Sequence, residues 1–448
     1  MTSPSLQRYS RSRPGQRGAV LVIVIWICLG LVALTLYFAD SITSEMRAAD
    51  NRVAEIAVRQ AVAGGTRYAG YILSQFATEG RVPLREDYDS EELPVGDANV
   101  WFIGRDANER PTSEPFFGLV DEASKLNLNT ATRTMVEALP NMTPELAEAI
   151  MSWKARNQAG ANDSTYGRLD PPRLNKGAPF ESVDELRLVY GATLDVLLGE
   201  DINRNGVLDE HENDADQSAP RDNADGLLQP GILEYVTIYS REPNRRANGA
   251  RRINIATAQN RPQLEQVLRQ QFGPFRAAQI LQAIGTQPMD SIAEFMVRGR
   301  LSAEEWAQIR GEITTSNNTT VAGLINVNTA SETVLACIPG IGVENAATLV
   351  GYRSAHPDVL TSLYWLREVL TPNAIIRAGR YLTDRSYQFS ADVAAVGISG
   401  RGYCREKTIF DLSEGTPRIV YHQDLTSYGW ALGEQVRQTV RDAKERRT

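Results

Sequence analysis

An unbroken apolar run fills residues 19–38, and the eighteen residues before it carry Arg8, Arg11, Arg13 and Arg17 and no acid. About 20 apolar residues are enough to cross a bilayer as a helix, so the pattern predicts one membrane-spanning segment. The basic flank predicts a cytoplasmic N-terminus, with everything after Asp40 on the other side. Residues 40–78 contain no proline, and Ile42, Met46, Val53, Ile56, Ala57, Val62, Tyr68, Ile72 and Phe76 recur at roughly helical spacing. The membrane helix is therefore expected to continue outward as an amphipathic helix.

Further along, residues 100–103, 116–120 and 233–239 read as short strands, and so do residues 386–396, 408–412 and 417–422 near the C-terminus. Turns at Gly397, Gly400, Gly402 and Gly415 separate the last three. These strands are expected to form an antiparallel sheet against residues 40–78. Between them the chain repeats itself. Leu126-Asn127-Leu128-Asn129-Thr130-Ala131, Ile253-Asn254-Ile255-Ala256-Thr257-Ala258 and Ile325-Asn326-Val327-Asn328-Thr329-Ala330 are variants of one phrase. Its Asn and Thr can end an extended segment and cap the helix that follows. After each phrase comes an apolar helix, a turn and a second helix. Two copies then carry a Ser with an acid three residues on, Ser182 with Glu185 and Ser291 with Glu294, in the manner of a capping box.

The sharpest chemical signal lies at residues 201–212. A calcium loop of the EF-hand type places oxygen ligands at its positions 1, 3, 5, 7, 9 and 12, with glycine at position 6. Asp201, Asn203, Asn205, the Val207 carbonyl, Asp209 and Glu212 match in order, and Gly206 supplies the turn. Oxygen donors of this kind favour Ca²⁺ over softer metals. Residues 194–198 could be the entering helix, and no helix is expected after the loop. The ion is expected to be structural, pinning a long insertion to the neighbouring helical module.

Composition narrows the function. The 448 residues carry a formal net charge of −8. Phosphate recognition needs clustered Lys and Arg, so an acidic chain is a poor nucleic-acid binder. Cysteine occurs at Cys28, in the apolar run, and at Cys337 and Cys404, which could pair in an oxidising compartment or stay as two buried thiols. The histidines, His211, His356 and His422, fall in separate segments with no zinc-ligand spacing. No nucleophile elbow, phosphate loop or dinucleotide fingerprint is present, so no enzyme is expected.

Two resemblances follow from these residues. The third repeat contains Pro339-Gly340-Ile341-Gly342, which resembles the hairpin of the helix-hairpin-helix family found in competence DNA receptors. There, Gly340, Ile341 and Gly342 would offer backbone N–H groups to a phosphate. Glu344 stands where that phosphate would lie, which favours a packing role. The N-terminus resembles a type IV prepilin leader, cut between Gly18 and Ala19 at the cytoplasmic edge of the helix. A plain uncleaved signal anchor is the alternative. Most pilins have Glu as the fifth residue after the cut, whereas this chain has Ile23. That departure, with the Asn-Thr-Ala helical insertions, resembles the minor pseudopilin K family of type II secretion systems.

The resemblance implies an α+β pilin-like fold, with a long N-terminal helix on an antiparallel sheet. All-α helix-hairpin-helix-like modules and an EF-hand-like calcium loop would be inserted in it. The expected order is a leader at 1–18, a span at 19–38, a helix to 80, strands at 81–125 and a first module at 126–200. The calcium loop and an acidic linker occupy 201–232, strands 233–252, a second module 253–318, a third 319–385, and strands with a tail 386–448. It also implies a place in the inner membrane with the bulk in the periplasm, and processing and N-methylation by prepilin peptidase. The implied role is at the pseudopilus tip with minor pseudopilins I and J. The rival reading is a membrane-anchored DNA-uptake protein.

Overall fold

The computed structural model describes residues 17–77, 80–108, 114–155, 164–215, 217 and 221–445. Helix α1 (Arg17–Ser74) is continuous. The chain divides into two compact units, one ending at Ile56 and one beginning at Ala57. The described part of the first unit is the N-terminal length of α1. Its apolar side chains from Val20 to Phe38 are exposed, and it includes a segment long and apolar enough to cross a membrane.

In the second unit, the rest of α1 buries Val58, Ala61, Val62, Ala69 and Leu73, a single face at helical spacing. That face packs on Val100, Phe102, Phe389, Val393 and Phe410 of an antiparallel sheet. The helix lies close because Gly65 has no side chain: a Cβ there would meet Val100 and Val393 methyls at 2.8 and 2.9 Å. The strands are β1 (Leu93–Val95), β2 (Ala98–Phe102), β3 (Val120–Asp121), β4 (Gln388–Gly397), β5 (Tyr403–Asp411) and β6 (Arg418–Asp424). Their order is β1-β2-β4-β5-β6, with β3 pairing the start of β4. A long helix packed against an antiparallel sheet is the pilin-like arrangement.

Strand β4 is buried along its whole length. Its odd residues from Phe389 to Ala395 face α1. Ala394 and Val396 face Trp101, Ile103, Ala431 and Leu432, which lead into a C-terminal helix, Gly433–Glu445. The sequence pattern left that helix as a tail. The remaining even residues are polar. Gln388 donates to Asp411 Oδ1 at 2.6 Å, and Asp392 pairs with Arg405. A sheet with polar groups buried on its second face needs a cover that satisfies them.

That cover is the chain between β3 and β4. Each Asn-Thr-Ala phrase starts as a two-residue strand and is paired, in parallel, with a strand at the end of its repeat. Leu126–Asn127 lies beside Val236–Thr237, Ile253–Asn254 beside Ile313–Thr314, and Ile325–Asn326 beside Leu382–Thr383. In each phrase the first Asn accepts, through Oδ1, the backbone N–H two residues on: 3.0 Å at Asn127, 2.8 Å at Asn254 and 3.0 Å at Asn326. A cation closes two of the phrases in the same way. Lys154 Nζ donates to the Leu128 and Ala131 carbonyls at 2.6 and 2.9 Å, and Arg353 Nη1 to those of Val327 and Ala330 at 3.1 and 2.5 Å. The repeats share one apolar core that includes Val136, Ile150, Phe295, Trp306, Leu335 and Leu349.

Two sequence expectations need correction. Residues 116–120 contribute only the start of β3 and a single bridge from Phe117 to Ile103. Residues 233–239 begin inside a 3₁₀ turn, Ile232–Glu234, and only Val236–Thr237 is a strand. Ile232 and Leu233 both turn into the helical core, which a strand's alternation forbids. In the second repeat the two helices within Arg261–Ile284 meet at Gly273, whose φ of 77° and ψ of 168° break the helix where the turn was expected. Cys337 and Cys404 are separate buried thiols, and Cys28 is exposed.

Candidate functional site

The insertion in the first repeat leaves a short helix, α2 (Leu194–Leu198), capped by Thr193, whose side chain accepts the Val196 N–H. Gly199 then turns the chain with φ 61°, and a Cβ there would lie 2.2 Å from the Gln229 carbonyl. The loop that follows is organised by its own side chains. Asp201 Oδ1 and Oδ2 accept the N–H groups of Asn205 and Gly206 at 2.9 and 3.0 Å. Asn203 Oδ1 accepts from Asn205 N at 3.0 Å, and Asn205 Oδ1 from Val207 N at 2.8 Å. Glu212 closes the loop, accepting from Ile202 N at 2.9 Å and from Asp209 N at 3.1 Å. Gly206 has φ 77°, the left-handed conformation that the turn requires.

The six positions are thus brought together. Asp201, Asn203, Asn205, Val207 and Glu212 are buried and Asp209 is half-buried. Three carboxylates in this space oppose one another's ionisation. Burial, then the Asp201 and Asp209 charges, pushes Glu212 up to about 8. Burial also raises Asp201, although Arg105 acts against it. Asn203 and Asn205 direct their amide N–H groups to Asp209 Oδ2 at 2.5 and 3.2 Å, and each amide oxygen retains a second lone pair. Among the described residues no three His, Cys, Asp or Glu side chains gather into a metal-holding group. A cation here would have to be held by a mixed set of carboxylate, amide and carbonyl oxygens, the kind that suits Ca²⁺.

The sequence pattern missed what holds this loop. Arg405, on β5, donates to the Asn203 carbonyl and, from Nη2, to the Arg204 carbonyl at 2.8 Å. Its Nε and Nη2 also bond Asp392 at 2.8 and 2.7 Å. Arg105 reaches the same Arg204 carbonyl at 2.9 Å while pairing with Glu234 at 2.8 Å. Burial alone would raise Glu234, but the Arg105 charge prevails and holds it at about 2. Asn203 Nδ2 donates to the Trp430 carbonyl at 3.0 Å. The contacts of Arg405, Arg105 and Trp430 with the loop join residues 201, 99 and 227 positions apart, and no local motif marks them.

A second junction fastens the third repeat. Asp121, at the end of β3, accepts from Asn326 Nδ2 at 3.1 Å, Ser386 Oγ at 2.5 Å, Thr329 Oγ1 at 2.5 Å and Ala123 N at 2.7 Å. Burial pushes this carboxyl up to about 6 against those donors.

The hairpin residues lie elsewhere. Gly340 and Gly342 have φ of 99° and 68°, and Ile341 is buried. A Cβ on Gly340 would meet Arg377 Cβ at 2.9 Å and the Ala374 carbonyl at 3.0 Å, so this glycine admits the helix Pro372–Ala378. Gly18 and Ala19 belong to the first turns of α1, and residues 1–16 of the leader lie outside the described residues.

The fold defines a class: a chain with one long, apolar N-terminal helix, pilin-like in its helix and sheet, that carries a repeated helical head. Residues 123–198 match the family "Type II secretion system (T2SS), protein K" in its first domain. The GspK-GspI-GspJ complex from the enterotoxigenic Escherichia coli Type 2 Secretion System contains a chain similar to this one at 10% identity. The match covers 85% of this chain and 99% of that one, with a TM-score of 0.39. No curated protein matches the chain.

Proposed function

We propose that this chain is a minor pseudopilin of the type II secretion pseudopilus tip, inserted once in the inner membrane with its N-terminus cytoplasmic and its bulk periplasmic. The match of residues 123–198 to protein K carries this reading. The fold is consistent with it. The helical head is inserted between β3 and β4, so the anchor and sheet carry a bulk that a stacked filament subunit lacks. At position 23 the helix offers an isoleucine, which cannot pair with the N-terminus of a subunit above it. Partners of the I and J type, as in the similar complex, would then lie beside or below it.

Two finer readings go with this role. Prepilin peptidase would cut after Gly18, leaving Ala19 as the mature, methylated N-terminus. The loop at 201–212 would hold one Ca²⁺ through Asp201, Asn203, Asn205, the Val207 carbonyl, Asp209 and Glu212. The repeats would serve as helix-hairpin-helix-like packing modules, with Gly340 spent on an internal contact. The test is co-expression of the full chain with pseudopilins I and J of its own system. A detergent-stable ternary complex, and loss of secretion when the chain is deleted, are expected. A chain that purifies alone and whose deletion leaves secretion intact refutes the assignment.

A further inference from the structure

A cavity of about 70 Å³ lies between the ends of the second and third repeats. Trp306 and Arg310 line it from the second repeat, Arg380, Asp384 and Arg385 from the third, and Arg252 from just before the Ile253 phrase. The seam around it is tight: a Cβ on Gly379 would lie 2.7 Å from Ala293 Cβ and 2.8 Å from Ser291 Oγ.

Trp306 is wholly buried, and among the described residues its indole Nε1–H has no acceptor. An indole nitrogen can only donate, so the group it lacks is one that accepts. A donor left unpaired in the interior costs free energy, which a bound acceptor recovers. Trp306 and Arg310 stand one turn apart, at i and i+4, at the end of the helix Ala303–Ile309, and so share a face of it. Arg310 gives Nη1 to Asp384, and a guanidinium carries five N–H donors in all.

Charge decides which acceptor fits. The guanidiniums of Arg252, Arg310, Arg380 and Arg385 share three carboxylates. Arg252 pairs with Glu242 at 3.1 Å and Arg380 with Asp290, while Arg310 and Arg385 both turn to Asp384, Arg385 from 3.8 Å. The wall therefore carries an excess of positive charge. A single water occupies about 10–15 Å³ of such a cavity, so the space is several times what one water requires. An anion with several oxygens can meet the indole and a guanidinium together and balance the charge; water supplies the oxygen alone.

We infer that this cavity binds one small inorganic oxyanion of the phosphate or sulfate class, held by Trp306 Nε1 and the Arg310 guanidinium, and that the ion joins the second repeat to the third. The inference depends on neither the tip assignment nor the calcium loop.

The full chain in detergent, exchanged into chloride buffer free of phosphate and sulfate, is titrated into inorganic phosphate at fixed ionic strength and followed by the phosphorus NMR line width. Saturable broadening is expected, and sulfate should reverse it. Trp306→Phe keeps an aromatic ring and removes the N–H; it should weaken binding at least about tenfold, because a hydrogen bond to a charged group is lost. Arg310→Met should weaken it as much or more. No saturable broadening below about 10 mM phosphate, or an unchanged affinity in Trp306→Phe, overturns the proposal and leaves the indole to water. Glycerol phosphate, an ester of the kind found in lipid headgroups, should not displace the ion; displacement equal to that by inorganic phosphate overturns the assignment to a free ion. The titration of the unaltered protein stands even if a variant fails to fold.

Discussion

Arg405 and Asp392 lie diagonally across β5 and β4, bonded at 2.7 and 2.8 Å, and both side chains are buried. The remaining donors of Arg405 hold the Asn203 and Arg204 carbonyls, so one guanidinium connects the sheet to the loop proposed to bind calcium.

Arg405→Met would leave Asp392 buried without its cation, a loss of about 3–5 kcal/mol. The denaturation midpoint should fall sharply. Adding Asp392→Leu should recover much of the loss, because a buried pair replaced by apolar groups is often neutral. A midpoint unaltered by Arg405→Met would show that the contact is not formed.

Metal-free protein should lose stability as the pH rises from about 4.5 to 8. Glu212 near 8 and Asp121 near 6 both lie above their ordinary values of 4.5 and 3.8, so the folded chain holds protons that the unfolded chain releases. Their contribution is complete below the ordinary values and disappears as pH passes the raised ones. Calcium should flatten the upper part of this profile by replacing the proton on Glu212. Melting scans in chelator and in calcium at pH 5, 6.5 and 8 check both statements, and calorimetry should show no calcium uptake by Asp201→Ala.

Gly340→Val should destabilise the third repeat by about 1–3 kcal/mol or more, since it combines a strained positive φ with a clash against the helix Pro372–Ala378. Gly342→Ala meets no atom within 4 Å and should cost less, through backbone strain alone. Equal effects in urea titrations would contradict the packing role assigned to Gly340.

Gly65→Leu should loosen the helix from the sheet, because the added side chain enters space held by Val100 and Val393. Overpacking of this kind costs about 1–3 kcal/mol. Hydrogen exchange at β2 and the centre of β4 should speed up, while exchange in the third repeat should not change.

N-terminal sequencing of the membrane-inserted chain should give a mature protein beginning at Ala19. Retention of Arg17 and Gly18 would identify an uncleaved signal anchor instead.

The sequence by itself determined whatever depends on local spacing. The apolar run, the helical face of α1, the three Asn-Thr-Ala phrases and the spacing of oxygen-bearing side chains over residues 201–212 are each legible within a few turns of chain. Strands were legible where alternation and burial agree, as in β4, and misread at 233–239, where consecutive apolar residues turn into a neighbouring core. Only the tertiary structure decided that the repeats share one core, that Gly340 serves a helix contact, and that Arg405, Arg105 and Asp121 fasten the repeats and the loop to the sheet. Those side chains meet partners across large separations in sequence. Their pairing follows from which polar groups the assembled fold buries together, a condition that no local pattern records.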